Sequence, residues 1–326
     1  MVYGKKLLAL NLMFFKITSL KFIISRYKNY SVMPSSWFRI IRIKFLLASV
    51  IAVCLGLAIS WNQNQTINIA DAALTFAGVI ALHVSVDLLN DYWDFKRKID
   101  TETKRTKFSG GTGVLPEGLL QPSQVYRAGP AFLIAGAIIG GYFIFLNGVT
   151  IAIILAFAII SIYFYSTTIV NSGLGEIFVA IKGTMIVLGT YFVQTSQVVI
   201  EPILGGMILG VLSSMVLFVN SFPDFEADRA SGRKTLVIML GKKRATSALW
   251  IFPTVAYSTI IAGVITQTLP TLSLITLFSI PLLLKSALGL KRSFDDAEKL
   301  VPVMALCVSY GRITGTLLVL SFLLKI

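Results

Sequence analysis

Nine apolar segments of about twenty residues recur along this chain, near residues 45–61, 71–90, 128–146, 150–169, 177–196, 203–221, 248–266, 272–290 and 301–324. About twenty residues is what an α-helix needs to cross roughly 30 Å of hydrocarbon. Inside lipid a backbone can satisfy its own polar groups only as helices or as a closed barrel, and runs this long select helices. The connecting segments test the count. Segments 62–70, 147–150, 197–202 and 267–271 contain no Lys or Arg, whereas residues 1–44, 91–127, 229–244 and 285–299 hold nine, seven, six and four of the 29. Only Lys182, Arg312 and Lys325 fall elsewhere. Cytoplasmic loops collect Lys and Arg, and a miscounted span would scramble this alternation. The expectation is an all-α, polytopic bundle of nine spans in a cell membrane, with the N-terminus and the basic loops cytoplasmic.

Composition agrees: 56% of residues are hydrophobic, 13% are charged and the mean hydropathy is +0.81, too few charges to cover a soluble domain. The net charge of +14 follows from positive-inside topology and anionic lipid headgroups, without a nucleic-acid partner. Residues 1–44 carry nine basic and no acidic residues. Lys5, Lys6, Lys16 and Lys21 interrupt the apolar stretch and no small-residue cleavage site follows, which disfavours a cleaved signal and favours a basic amphipathic segment, cytoplasmic or interfacial. Residues 45–326 form the nine-span domain. Cys54 and Cys307 both fall within spans and read as core packing rather than a disulfide.

Acid is scarce, 15 residues in 326, and it gathers in two runs at the ends of the second and sixth segments. The first reads Asn90-Asp91-Tyr92-Trp93-Asp94; the second runs from Asn220 through Asp224 to Asp228. At helical spacing His83, Asp87, Asn90, Asp91 and Asp94 share one face, and Asn220, Asp224 and Asp228 form a matching stripe. Clustered carboxylates beside a membrane cost several kcal/mol to desolvate unless a positive partner compensates. Carboxylate oxygens with an amide alongside suit Mg²⁺, whose octahedron is commonly completed by water and a substrate phosphate. Two such clusters on one side of the membrane are equipped to clamp a diphosphate. The bland alternative, solvated helix ends, explains one run well and a matched pair poorly. After the first run, Lys104, Arg105 and Lys107 lead into Gly110-Gly111-Thr112-Gly113, a basic Gly-rich loop suited to an anion or simply to flexibility.

These motifs resemble the UbiA superfamily of intramembrane prenyltransferases, and most nearly the branch that prenylates 1,4-dihydroxy-2-naphthoate on the way to menaquinone. The likeness runs from Arg42 onward. The first family motif appears as residues 90–100, with Asp100 six positions after Asp94, a spacing like that of the naphthoate branch. The second appears as residues 224–236. Tyr165-Ser166, residues 173–176 and the stretch around Tyr191 are similar to that branch's fourth- and fifth-span signatures. The chain departs from the pattern at Asp87, where members usually carry an amide, at His83, near which they often carry Gln, and at Ile43, which replaces a Pro.

The resemblance implies a bundle around a cavity open to lipid and transfer of a polyprenyl group from an allylic diphosphate to an aromatic acceptor. It makes Asn90, Asp91, Asp94, Asn220, Asp224 and Asp228 candidates for the Mg²⁺ shell. Arg42, Lys104, Arg105, Lys107, Lys182, Arg229, Arg233 and Lys234 are candidates for the diphosphate. Tyr165 or Tyr191 would face the allylic cation, although packing is the ordinary role of a Tyr in a span. His83 and Asp87 would hold or deprotonate an acceptor hydroxyl, against the plainer reading of a hydrogen-bonded packing histidine. Another quinone precursor or a glycerol phosphate ether lipid stays open as acceptor. A transporter is the rival class; it would carry its acids in mid-span rather than at helix ends.

Overall fold

The computed structural model describes residues 35–102, 105, 106 and 108–324. The reading of residues 1–34 as an amphipathic segment, and the roles expected of Lys104 and Lys107, lie outside the described residues. Among the described residues there are nine helices long and apolar enough to cross a membrane. They are α1 (Ile43–Asn64), α2 (Ile69–Lys96), α3 (Pro122–Asn147), α4 (Val149–Ser172), α5 (Gly175–Thr195), α6 (Ile200–Asn220), α7 (Lys242–Ile265), α8 (Thr271–Ser293) and α9 (Ala297–Leu323). Each overlaps one of the nine segments expected, with ends shifted by a few residues.

Local chemistry sets several of these ends. The Asn68 side chain accepts a hydrogen bond from the Asp71 N–H at the start of α2, and Asp296 does the same for Glu298 and Lys299 at the start of α9. Gln121 and Gln124 cap α3 reciprocally ahead of Pro122. Consecutive helices pack side by side, and α1 touches α2, α5, α6 and α9, so it stands at the middle of the bundle. Phe145 and Phe278 are 88% and 80% exposed. Such large apolar side chains on the outer surface are what lipid, not water, accepts.

Without a hydrophobic drive between helices in lipid, close packing has to supply the attraction. The tightest pairing is α5 on α6. A Cβ added to Gly206 would lie 2.6 Å from Thr184 Cα, and one added to Gly210 would strike the Ala180 backbone. The Gly206-x-x-x-Gly210 spacing puts both on one face of α6 and lets the backbones meet. A second device joins α8 to α9 through polar side chains: Ser273 to Ser321 at 3.0 Å, Ser279 to Thr314 at 2.7 Å and Ser286 to the Val303 carbonyl at 3.2 Å.

The loops segregate as the charge alternation requires. The boundaries poor in charge meet at one end, through Asn68 with Gln194 and Asn147 with Ser196. The loops after α2 and α6 meet at the other, where Gly110 N–H donates to Asp224. Gly210→Ala is expected to overpack the α5–α6 contact, costing about 1–3 kcal/mol and lowering the thermal midpoint in detergent, whereas Gly141→Ala, with nothing within 4 Å of its added Cβ, leaves it unchanged.

Candidate active site

At the loop-rich end, α2 carries its polar stripe to Lys96, and a short helix, Ile99–Glu102, follows it. Asn90 Nδ2 donates to Asp94 Oδ2 at 3.0 Å, and Ser166 Oγ donates to Asn90 Oδ1 at 3.0 Å. Ser166 reaches Asn90 because α4 widens into a π-helical turn over Tyr165–Ile169, which brings Tyr165 and Ser166 to the α2 face. Arg97 caps that turn, donating to the Ser166 carbonyl at 2.7 Å.

The second run leaves α6 at Asn220, and Asp224 opens a short helix, Phe225–Ala230. Arg233 folds back from beyond that helix to join the two runs. Its Nη1 donates to Asp228 Oδ1 at 3.0 Å and its Nη2 to Asp94 Oδ1. All three side chains are buried, at 9%, 7% and 5% exposure for Arg233, Asp94 and Asp228. A second cation does the same for Asp91, whose carboxylate accepts from Arg42 on one oxygen and from Thr112 Oγ1 on the other. Arg42 holds a left-handed backbone, φ 47°, at the start of α1. Such a conformation in a non-glycine residue stores strain that the surrounding contacts must offset.

The Gly-rich loop closes over both runs. Gly110 N–H points at Asp224 Oδ2 at 3.3 Å, and at Gly111, φ +69°, an added Cβ would run into the Asp100 carboxylate. Only glycine lets that backbone pass so close to an acid. Burial, then the neighbouring Asp94 and Asp91, raise the Asp100 carboxyl to about 8. Burial and the adjacent Asp228 raise Asp224 to about 7, and burial raises Asp228 as well.

Beneath these groups lies a cavity of about 330 Å³ that extends between α1, α2, α4, α5, α6 and α9. Its loop end is lined by Asn90, Asp94, Asp100, Asn220, Asp224, Asp228 and Arg233, and Tyr165 faces it from the π-turn. Arg42, His83, Asp87, Lys182 and Arg312 line it too, while its apolar wall includes Ile51, Ile162, Val179, Leu212 and Val216. Arg312, unassigned by the sequence, donates to the Lys44 carbonyl at the start of α1.

Several expectations need correction in position. Asp91 does not line the cavity, because Arg42 and Thr112 occupy both of its oxygens. Arg105 is exposed and donates to Glu117, which also takes a bidentate contact from Arg39, so Arg105 turns away from the acids. Arg229 and Lys234 are exposed and absent from the lining; Arg229 points outward from the short helix 225–230, and Lys234 lies in the turn beyond it. Tyr191 is buried, with its hydroxyl bonded to Gln63 near the far end of α1, and does not reach the cavity. Lys182 lies with His83 and Asp87, one level deeper than the acid runs, and not beside them. Arg39 and Thr112 carry contacts that the sequence did not single out, because both act through folds of a loop.

The oxygens suit a hard cation. Asn220 Oδ1 and Asp224 Oδ1 are buried with no hydrogen-bond partner, four residues apart on the cavity wall. Buried oxygens are normally satisfied, and two left bare on the wall of one cavity suit a cation. Among the described residues no three acidic, His or Cys side chains converge on one point. A Mg²⁺ ion here therefore requires further oxygens, such as those of a phosphate.

A helical membrane bundle that bends two acid-and-amide helix ends over one apolar-walled cavity is built for chemistry on an amphiphilic substrate at the membrane edge. The UbiA prenyltransferase family matches residues 49–309, and the chain belongs to that family. It is a multi-pass membrane enzyme, a prenyltransferase. The chain is 26% identical over 240 residues to the 1,4-dihydroxy-2-naphthoate octaprenyltransferase of Bacillus subtilis, covering 72% of this chain and 76% of that one. It is 26% identical over 313 residues to the protein of that name in Escherichia coli, covering 89% and 96%. These matches bear out the resemblance to the naphthoate branch. The solved UbiA homologue of Aeropyrum pernix superposes with a TM-score of 0.66 at 17% identity, over 86% of this chain and 98% of that one. The Archaeoglobus fulgidus homologue bound to GPP and Mg²⁺ gives 0.58 at 14% identity, over 86% and 99%.

Two outcomes follow from the buried charges. Arg233→Met strands Asp94 and Asp228, and breaking a buried pair costs about 3–5 kcal/mol. The thermal midpoint in detergent should fall, and adding Asp94→Asn should recover part of the loss. For Asp100 and Asp224 the folded state favours the protonated carboxyl, relative to an unfolded value of about 3.9. That contribution is complete below about pH 4 and is lost as pH rises through the folded values of about 7 and about 8. The midpoint, scanned without divalent cations, should decline from pH 6 to 9, and Asp100→Asn should flatten the decline.

Proposed function

We propose that this prenyltransferase moves a polyprenyl group from an allylic polyprenyl diphosphate to 1,4-dihydroxy-2-naphthoate, with its acid-bearing loops in the cytoplasm and its cavity open to membrane lipid. The observation that carries the reading is the meeting of the two acid runs above a single apolar-walled cavity, joined by Arg233. The names of the Bacillus subtilis and Escherichia coli relatives support the acceptor, and GPP and Mg²⁺ in the Archaeoglobus fulgidus homologue support the donor and the metal. The concentration of Lys and Arg at the loop-rich end supports the orientation.

Asn90, Asp94, Asn220, Asp224 and Asp228 would hold Mg²⁺, which when bound stabilises the negative charge of the leaving diphosphate. Asp91 supports this shell from behind by fixing Arg42. Arg233 and Arg42 are already at the cavity wall and would meet diphosphate oxygens without leaving their carboxylates. Arg105, Arg229 and Lys234 lie outside it and are left to loop structure. As the allylic carbon–oxygen bond breaks, positive charge on carbon must be kept from water. The apolar wall excludes water, and the face of Tyr165, at the boundary between acids and apolar wall, would stabilise that charge by about 0.5–2 kcal/mol.

The purified protein given Mg²⁺, geranylgeranyl diphosphate and 1,4-dihydroxy-2-naphthoate should release diphosphate and yield a prenylated ring detectable by mass spectrometry. Asp224→Ala should reduce turnover at least about a hundredfold, as loss of a principal electrostatic group does. Turnover without divalent metal, or an active Asp224→Ala enzyme, would remove the clamp. Exclusive use of 4-hydroxybenzoate or a glycerol phosphate ether in place of naphthoate would overturn the acceptor.

A further inference from the structure

One and two turns deeper than Asn90, the cavity wall carries Asp87 and His83, which the diphosphate chemistry does not use. His83 Nδ1 lies 2.6 Å from Ser49 Oγ on α1, which fixes the ring. Its Nε2 is 3.8 Å from Asp87 Oδ2, too far for a hydrogen bond. Asp87 Oδ2 is buried with no hydrogen-bond partner, and Asp87 lines the cavity. From α5, Lys182 lines the same cavity and acts electrostatically on both Asp87 and His83. Among the described residues Lys182 makes no ion pair within 4 Å. Arg42 and Asp91 are the other charges that Asp87 feels.

A structural ion pair in apolar surroundings closes to contact, because desolvation is offset only when the geometry is good. Asp87 and Lys182 instead form no contact pair although both line the cavity, and Asp87 Oδ2 is left without a partner. Resting on the reading as an aromatic prenyltransferase, we propose that they form a two-point subsite for a hydroxylated aromatic carboxylate. Asp87 Oδ2 accepts the hydrogen bond of a ring hydroxyl, and Lys182 Nζ meets the ring carboxylate. His83, held by Ser49, borders the subsite without a hydrogen bond to Asp87. Asn90 lines the same cavity three residues further along α2, so a ring on this subsite sits beneath the diphosphate end.

Steady-state kinetics with paired enzyme and substrate variants test this. Asp87→Leu should raise the acceptor KM roughly tenfold or more while the donor KM stays fixed, and Asp87→Asn, which keeps an accepting oxygen, should restore much of it. Methylating the acceptor hydroxyl should cost the wild-type enzyme a similar factor and cost Asp87→Leu nothing further. Lys182→Met should behave in the same way toward an acceptor lacking its carboxylate. Additive losses would overturn the subsite, as would a donor KM that rises as much as the acceptor KM. Thermal midpoints establish that each variant is folded, and Asp87→Asn carries the comparison if Asp87→Leu is not. Wild-type turnover indifferent to hydroxyl methylation removes the subsite and leaves prenyl transfer intact. Turnover of a different hydroxylated ring, lost on methylation, removes naphthoate and keeps the subsite.

Discussion

Arg233 compensates buried acid from two distant parts of the chain at once, and the geometry of the loop end depends on it. Asp94 ends the polar stripe of α2 and Asp228 follows α6, and neither could remain ionised under cover without a cation between them. Arg42 does the same for Asp91 from the start of α1. Two guanidinium groups thus tie three helix ends together where carboxylates alone would repel. The pairings are specific because a guanidinium offers a planar fork of donors that an ammonium does not.

The second constraint is lipid. Helices that gain nothing from burying apolar surface against one another must pack by shape, which explains the glycines between α5 and α6 and the hydroxyl seam between α8 and α9. The same packing leaves a cavity whose acids crowd toward one end and whose wall below is apolar apart from groups such as His83, Asp87 and Lys182. An amphiphile with a charged head and a hydrocarbon tail matches that gradient. Tyr165 stands at the boundary because α4 gives up α-helical regularity there, freeing carbonyls that Arg97 caps.

Much of this was legible beforehand. Segment length and the alternation of basic loops gave nine helices, since hydrocarbon thickness and backbone satisfaction leave few alternatives. Helical spacing put Asn90 and Asp94 on one face of α2; Asn220 and Asp224 line the same cavity, but through a turn that ends α6 at Asn220 rather than along one helix. Arg105, Arg229, Lys234 and Tyr191 were misplaced because charge and residue type do not reveal direction. A basic residue in a loop turns inward or outward according to the local backbone, and a short helix sent Arg229 out while its successor turn brought Arg233 in. Asp91 was read as an equal of Asp94, yet Arg42 and Thr112 claim it, and no spacing rule foresees a partner 49 residues away.

The amino-acid sequence by itself determined the class of fold, the membrane setting, the two acid runs, and the helical register of the first of them. Those follow from periodicity and composition, which act along the chain. Only the tertiary structure decided which cation serves which acid, which oxygens are left bare at Asn220 and Asp224, and that Lys182 lines one cavity with His83 and Asp87. Such matters depend on distances between helices, and in lipid those distances are set by close packing rather than by any local preference of the residues concerned.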